Sequence, residues 1–156
     1  MPTQREIRNV ADNSARNVTP VAASNTLELN QHSGRTILMN NAGTATAYVL
    51  PAAVGSGGVY KFIVAAVNTS NYVIACAANS DIFKGSIIGD STGDAEPGSL
   101  VVWPSDATDD DDITLNGTTT GGVAIGDWVE VQDIASGVYA VRGFVTQSGT
   151  EATMFS

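Results

Sequence analysis

The amino-acid sequence predicts an all-β fold, an antiparallel β-sandwich or barrel with Gly-rich loops, preceded by an N-terminal arm. Three observations predict it. Short runs rich in β-branched and aromatic residues recur from residue 25 onward. No segment past residue 25 sustains the 3.6-residue apolar period of a helix. Glycine punctuation at Gly55-Ser56-Gly57-Gly58, Gly117 and Gly121-Gly122 breaks the chain at short intervals, as sandwiches and barrels require. No repeat of solenoid or propeller type is visible.

Residues 1–24 read as the arm and 25–156 as a single β domain. No glycine precedes Gly34 and no aromatic residue precedes Tyr48, so the arm lacks both turn-formers and large core residues. Ile7, Val10 and Ala11 share the spacing of a helical face, over a stretch too short to hold as a helix without a surface to dock on. Thr26–Leu29 alternates as a half-buried strand does, and Asn30–Gly34 is turn material. Strands are then expected at 35–40, 45–50, 59–67, 72–78, 81–88, 100–103, 113–115, 127–132 and 138–146. Asn68–Asn71 and Asp133–Gly137 read as hairpin connections. Val59–Val67 is apolar on both faces apart from Lys61, the mark of a central strand. In Val138–Thr146, Tyr139, Val141 and Val145 share one face, with Val138, Ala140, Arg142 and Phe144 on the other.

Composition narrows the function. The chain has 156 residues, 43% hydrophobic and 15% charged, enough apolar material for a core. One Cys cannot form an internal disulfide, and one His cannot form a multi-histidine metal site. The net charge of −9 argues against gripping nucleic acid, whose phosphates need Lys and Arg. Residues 1–35 carry a net +1 and the remainder −10, so the arm is mildly basic on an acidic body. The apolar runs are far shorter than the roughly 20 residues of a membrane span. Arg5 and Arg8 are not followed by the apolar stretch of a signal peptide.

The candidate chemistry is thin. Gly89-Asp90-Ser91-Thr92-Gly93 matches the G-x-S-x-G pattern, but no helix follows, and the lone His32 lies upstream in a turn. A small hydrolase using His32, Asp81 and Ser91 is therefore the weakest reading. Asp106 and Asp109–Asp112 form an acidic run without the spacing of a calcium loop, because adjacent aspartates in extended chain diverge. Cys76 sits in an apolar strand with no cation beside it, so it reads as a small core residue. Thr118–Gly122 lacks the Lys of a phosphate loop, and the sequons at Asn17, Asn68 and Asn116 carry little weight in so Asn- and Thr-rich a chain. Trp103 and Trp128 are candidate sugar-stacking platforms, or else core or subunit-interface residues. The expectation is a non-enzyme without cofactor or catalytic residue and without a metal site.

Several segments carry a family resemblance. Leu50-Pro51-Ala52-Ala53-Val54-Gly55-Ser56-Gly57-Gly58-Val59-Tyr60-Lys61-Phe62 resembles a stretch of small virion proteins of tailed bacteriophages. Asp112–Gly122, Gly126–Ile134 and Gly137–Gly143 are similar to the same family. So is the tail Gly149–Ser156, with Met154 where the family pattern has Pro. The resemblance covers about residues 27–156 and excludes the arm; the shared residues are fold-builders. It implies a head decoration or capsid cement protein on the outer capsid surface of the virion. The partners would be the major capsid protein, whose subunits it bridges, and two further copies in a homotrimer. The arm, through Arg5, Ile7, Arg8, Val10 and Arg16, would then be a capsid-docking element that orders on contact. The alternative is a tail-associated or receptor-binding β module that recognises a host surface glycan.

Overall fold

The computed structural model describes residues 17–20, 23–92, 98–105 and 108–156. The proposed docking residues Arg5, Ile7, Arg8, Val10 and Arg16, and the short helical stretch at 7–11, lie outside the described residues, as do Gly93 and Asp106. The elements in chain order are β1 (Asn17–Val18), β2 (Ser24–Thr26), α1 (Leu29–His32), β3 (Thr36–Met39), β4 (Thr46–Val49), β5 (Val59–Val64), β6 (Tyr72–Ala75), β7 (Ile82–Ser91), β8 (Ser99–Pro104), β9 (Asp112–Leu115), β10 (Trp128–Ala135) and β11 (Val138–Gln147). β1 and β2 are short and largely polar, while from β3 onward the strands fall where apolar and β-branched residues cluster. The all-β class follows from them.

The strands form two open sheets. One has seven strands in the order β1-β3-β5-β10-β11-β7-β8, the other four in the order β2-β4-β6-β9. Both are mixed rather than antiparallel, and neither closes into a barrel. The reason lies in the path. Up to β6 the chain alternates between the sheets, so each strand returns to its own sheet in the direction it left. β1, β3 and β5 therefore stack in parallel, as do β2, β4 and β6. The two register-to-register coils differ in length, from Asn17 to Thr36 and then from Thr36 to Lys61, so they leave no period in the sequence. β10 and β11 then form an antiparallel hairpin whose β10 pairs with β5, while β11 runs parallel to β7 over ten register positions.

Two local expectations are corrected. Asn68–Asn71 is not a hairpin: β5 and β6 lie in different sheets. The Asn68 side chain accepts from Ser70 N–H at 2.7 Å and donates to Thr44 O at 2.7 Å, which fixes a corner between sheets. Thr26–Leu29 is not one strand either. β2 ends at Thr26, Leu27 turns into the core at 2% exposure, and Leu29 opens the single helical turn α1. Its polar run Asn30-Gln31-His32 has no apolar face, and Gly34 at φ +73° ends the turn.

A single core fills the space the two sheets share. Ile37, Tyr60, Phe62, Val129, Val131, Tyr139, Val141 and Val145 enter it from the seven-stranded sheet, and Tyr48, Tyr72, Ile74, Ile113 and Leu115 from the four-stranded one. Tyr48 meets Phe62 across the gap, ring centroids 5.6 Å apart. β5 is central, as its two apolar faces predict. The C-terminal segment completes the packing. Met154 and Phe155 are buried, Met154 O accepts from Thr114 N–H at 3.0 Å, and Phe155 bridges Ile113, so the tail pairs along β9.

Candidate interaction surface

The hydrolase motif resolves into packing. Ser91 is the last residue of β7, fully buried, and its Oγ accepts a hydrogen bond from Gln147 Nε2 at 2.7 Å. Gly89 is needed because the Trp103 ring lies over it, where a Cβ would come within 2.5 Å of the indole. His32 is in α1, its Nδ1 accepting from Glu28 N–H at 2.9 Å. Between β3, next to α1 in the chain, and β7 stand three further strands, roughly 19 Å of sheet at the usual strand spacing. Asp81 is buried and accepts from Ala53 N–H at 2.9 Å. The three residues of the hydrolase reading are thus each spoken for by different neighbours.

Several acids that look like surface charge in the sequence are buried fasteners. Asp133 Oδ1 accepts from Gly55 N–H at 2.7 Å. Its Oδ2 accepts from Val54 N–H at 3.2 Å, Ser56 N–H at 2.8 Å and Ser56 Oγ at 2.7 Å. Burial pushes the Asp133 carboxyl up, but these hydrogen bonds outweigh it and hold the pKa below the ordinary 3.8. Tyr139 donates to Pro51 O at 2.7 Å. Asp81, Asp133 and Tyr139 together pin the Leu50–Gly58 loop. Asp127 does similar work on β11, accepting from Thr146 N–H at 2.8 Å and Thr146 Oγ1 at 3.1 Å. In its case burial dominates and the pKa is raised.

Cys76 is partly buried against the core, and burial plus the carboxylates of Asp81, Asp111 and Asp112 push its thiol up to about 12, far from a thiolate nucleophile. Among the described residues no group of three or more His, Cys, Asp or Glu side chains converges as a metal site, and no helix is long and apolar enough to cross a membrane. Asp110 of the acidic run is buried, and burial followed by its neighbour Asp111 raises the pKa of Asp112. Asn116 uses its carbonyl oxygen locally, accepting from Thr118 N–H at 2.9 Å and Thr120 N–H at 3.0 Å.

The outward face of the seven-stranded sheet carries the feature that sequence reading missed. Leu38, Ile63, Trp128, Phe144, Ile88 and Val102 occupy one register row on six adjacent strands, β3 through β8. All point away from the core, since their chain neighbours Ile37, Phe62, Val129, Val145, Ile87 and Trp103 point into it. The row spans roughly 24 Å, five interstrand steps. Its exposure rises toward β8: Leu38, Ile63 and Trp128 are half-buried, then Phe144 is 41%, Ile88 43% and Val102 53% exposed, and Leu100 beside it 71%. The adjacent row is polar: Thr36, Lys61, Glu130, Arg142 and Ser86. There Arg142 pairs with Glu130, and Lys61 Nζ lies 5.1 Å from the Trp128 ring centroid.

No family model, curated protein or solved structure matches the chain. The surface therefore rests on its own geometry. The indoles do not make an open sugar platform: Trp103 is buried and donates Nε1–H to Ala152 O at 2.9 Å, and the Trp128 ring carries the Lys61 ammonium. A groove of about 340 Å³ beside β8 is lined by Val102, Trp103, Pro104, Glu151, Met154 and Phe155, among others, with Glu151 the one ionisable group in it among the described residues. What this face offers is apolar area on a stiff support. The signal was available in the sequence at Leu100-Val101-Val102-Trp103, where apolar residues occupy both faces of one short strand.

Proposed function

We propose that the protein is a non-enzymatic structural component of a tailed-phage virion, a decoration protein that seats on the outer capsid surface and bridges major capsid protein subunits. The observation that carries this reading is the apolar row across the outward sheet face. A shell pressed from within by packed DNA is strengthened by holding neighbouring subunits together. That task calls for contact area on a rigid body and for no bond-making chemistry. Contiguous exposed apolar residues bordered by charges are the usual form of such a contact. The two sheets, facing each other as a sandwich, supply the stiffness. The resemblance of residues 27–156 to head decoration proteins supports the same reading, and the acidic body suits the outside of the shell, away from DNA. The arm adds a second tether through Arg5, Ile7, Arg8, Val10 and Arg16, raising avidity.

Binding to purified, undecorated capsids of the same phage tests this. Phe144→Glu puts a charge in the middle of the row and should weaken binding at least ~30-fold, the scale of an aromatic anchor. Deleting residues 1–16, which carry all five arm residues and stop short of β1, should lower occupancy while the body stays folded. Labelling in intact virions should mark the head. Signal on the tail, or wild-type binding by both variants, would refute the proposal.

A further inference from the structure

β8 is an outer strand of the seven-stranded sheet, paired with β7 on one side and with no described strand on the other. Ser105 N–H donates to Gly85 O at 3.0 Å, which fixes the phase of the antiparallel ladder. Odd-numbered residues of β8 thus bond toward β7, and Leu100, Val102 and Pro104 direct their main-chain groups to the open side. Pro104, which has no N–H, stands where the missing donor costs the ladder nothing. Edge strands are usually guarded by charge, by shortness or by a bulge. Ser99-Leu100-Val101-Val102-Trp103-Pro104 has no charge and pairs without a register break over six residues.

From this we infer that the open edge of β8 pairs with β8 of a second copy of this chain, antiparallel about a two-fold axis. Three features favour a second copy as the occupant. β8 is longer than the other outermost strands, β1 and β2, while β9 is already lined by the C-terminal segment, so β8 matches itself best. The body is strongly acidic, and an uncharged strand is where two such bodies meet with least like-charge repulsion. The contact also joins two apolar rows end to end, covering Leu100 and Val102, the most exposed residues at that end. Symmetric pairing centred on Val102 satisfies all four open donors, the Leu100 and Val102 N–H groups of both copies, with Pro104 O and Val102 O as acceptors. The pairing rests on the fold alone and is independent of the capsid reading. Two-fold contact closes at two copies, where the resemblance implies three.

Sedimentation or native mass measurement of the full chain tests it. The expected particle is about 32 kDa, twice the 16.0 kDa chain. Leu100→Pro removes an open-side donor without touching the β7 ladder, and Val102→Lys places a charge on the edge. Each should give a folded 16.0 kDa monomer with an unchanged circular dichroism spectrum. Should Leu100→Pro unfold, Val102→Lys alone decides. Slow amide exchange at Leu100 and Val102 is expected in the wild type, and fast exchange in Val102→Lys. A wild-type monomer at high micromolar concentration, a three-copy particle, or a folded Val102→Lys that keeps the wild-type mass would overturn the pairing.

Discussion

Replacing Asp133 by alanine removes one buried carboxylate and four hydrogen bonds at once, from Val54 N–H, Gly55 N–H, Ser56 N–H and Ser56 Oγ. A hydrogen bond to a charged acceptor contributes ~1.5–3 kcal/mol when its partner is left buried and unpaired. Val54, Gly55 and Ser56 are exposed, so their freed donors reach water once the loop lifts, and each loss falls to below ~1 kcal/mol. The sum is about 3 kcal/mol, a melting-temperature drop of roughly 6–12 °C for a chain of this size. Asp133→Asn keeps one carbonyl oxygen for Gly55 but turns an amide toward the other donors, so it should cost nearly as much. Acid supplies the internal control. The Asp133 pKa in the folded state lies below the ordinary 3.8, so its contribution is present above 3.8 and is lost as pH falls through the folded value. Thermal unfolding followed by far-UV circular dichroism should show a gap between wild type and Asp133→Asn at about pH 7 that shrinks as pH falls below 3.8. An Asp133→Ala protein that melts within about 1 °C of wild type at neutral pH would refute the fastening argument.

Further outcomes follow from single contacts. Tyr48 is fully buried and its hydroxyl has no hydrogen-bond partner among the described residues, so Tyr48→Phe should raise stability by up to ~1 kcal/mol in urea unfolding. Gly85→Ala should cost more than ~3 kcal/mol by the same measurement: φ is +144°, and a Cβ would stand 2.1 Å from Val141 O on the neighbouring β11. Asp127 and Asp112 have folded-state pKa values above 3.8, so the folded protein takes up their protons more readily than the unfolded chain. Their contribution to stability therefore grows as pH falls from neutral through those values, and the urea midpoint should be modestly higher at about pH 5 than at about pH 7. Asp127→Asn should flatten that rise.

From β3 onward strand positions were legible in the sequence; β1, β2 and the strand directions were not. Tyr139, Val141 and Val145 announce their buried face by alternation alone, because side-chain period is a local property. Whether β5 turns back on itself or crosses to the other sheet depends on the corner at Asn68–Asn71, whose polar composition suits either outcome. The parallel winding was hidden for a related reason: its coils have unequal lengths, so no spacing repeats. The acids misled in another way. Nothing adjacent to Asp133 or Asp81 shows that Val54 or Ala53 awaits them, dozens of residues upstream. The reason for Gly89 in the G-x-S-x-G motif, the Trp103 indole above it, is visible only once β8 pairs with β7.

The alternation of rows on the outward face links the fold to the proposed contact role. Parallel stacking of β3 on β5 brings Leu38 beside Ile63, and Thr36 beside Lys61, because residues that match in register share a face. The β10–β11 hairpin continues both rows through Trp128 and Phe144 on one side and Glu130 and Arg142 on the other, and β7 carries them to Ile88 and Ser86. A one-residue slip of any strand would turn its contribution inward and break the row. The interior fasteners oppose such slips: Asp127 holds Thr146 on β11, and Asp133 holds the loop that leads into β5. Buried chemistry in this molecule thus serves to keep an external surface in register. That division of labour suits a protein that works by contact, with its acids spent on alignment and its apolar residues left facing out.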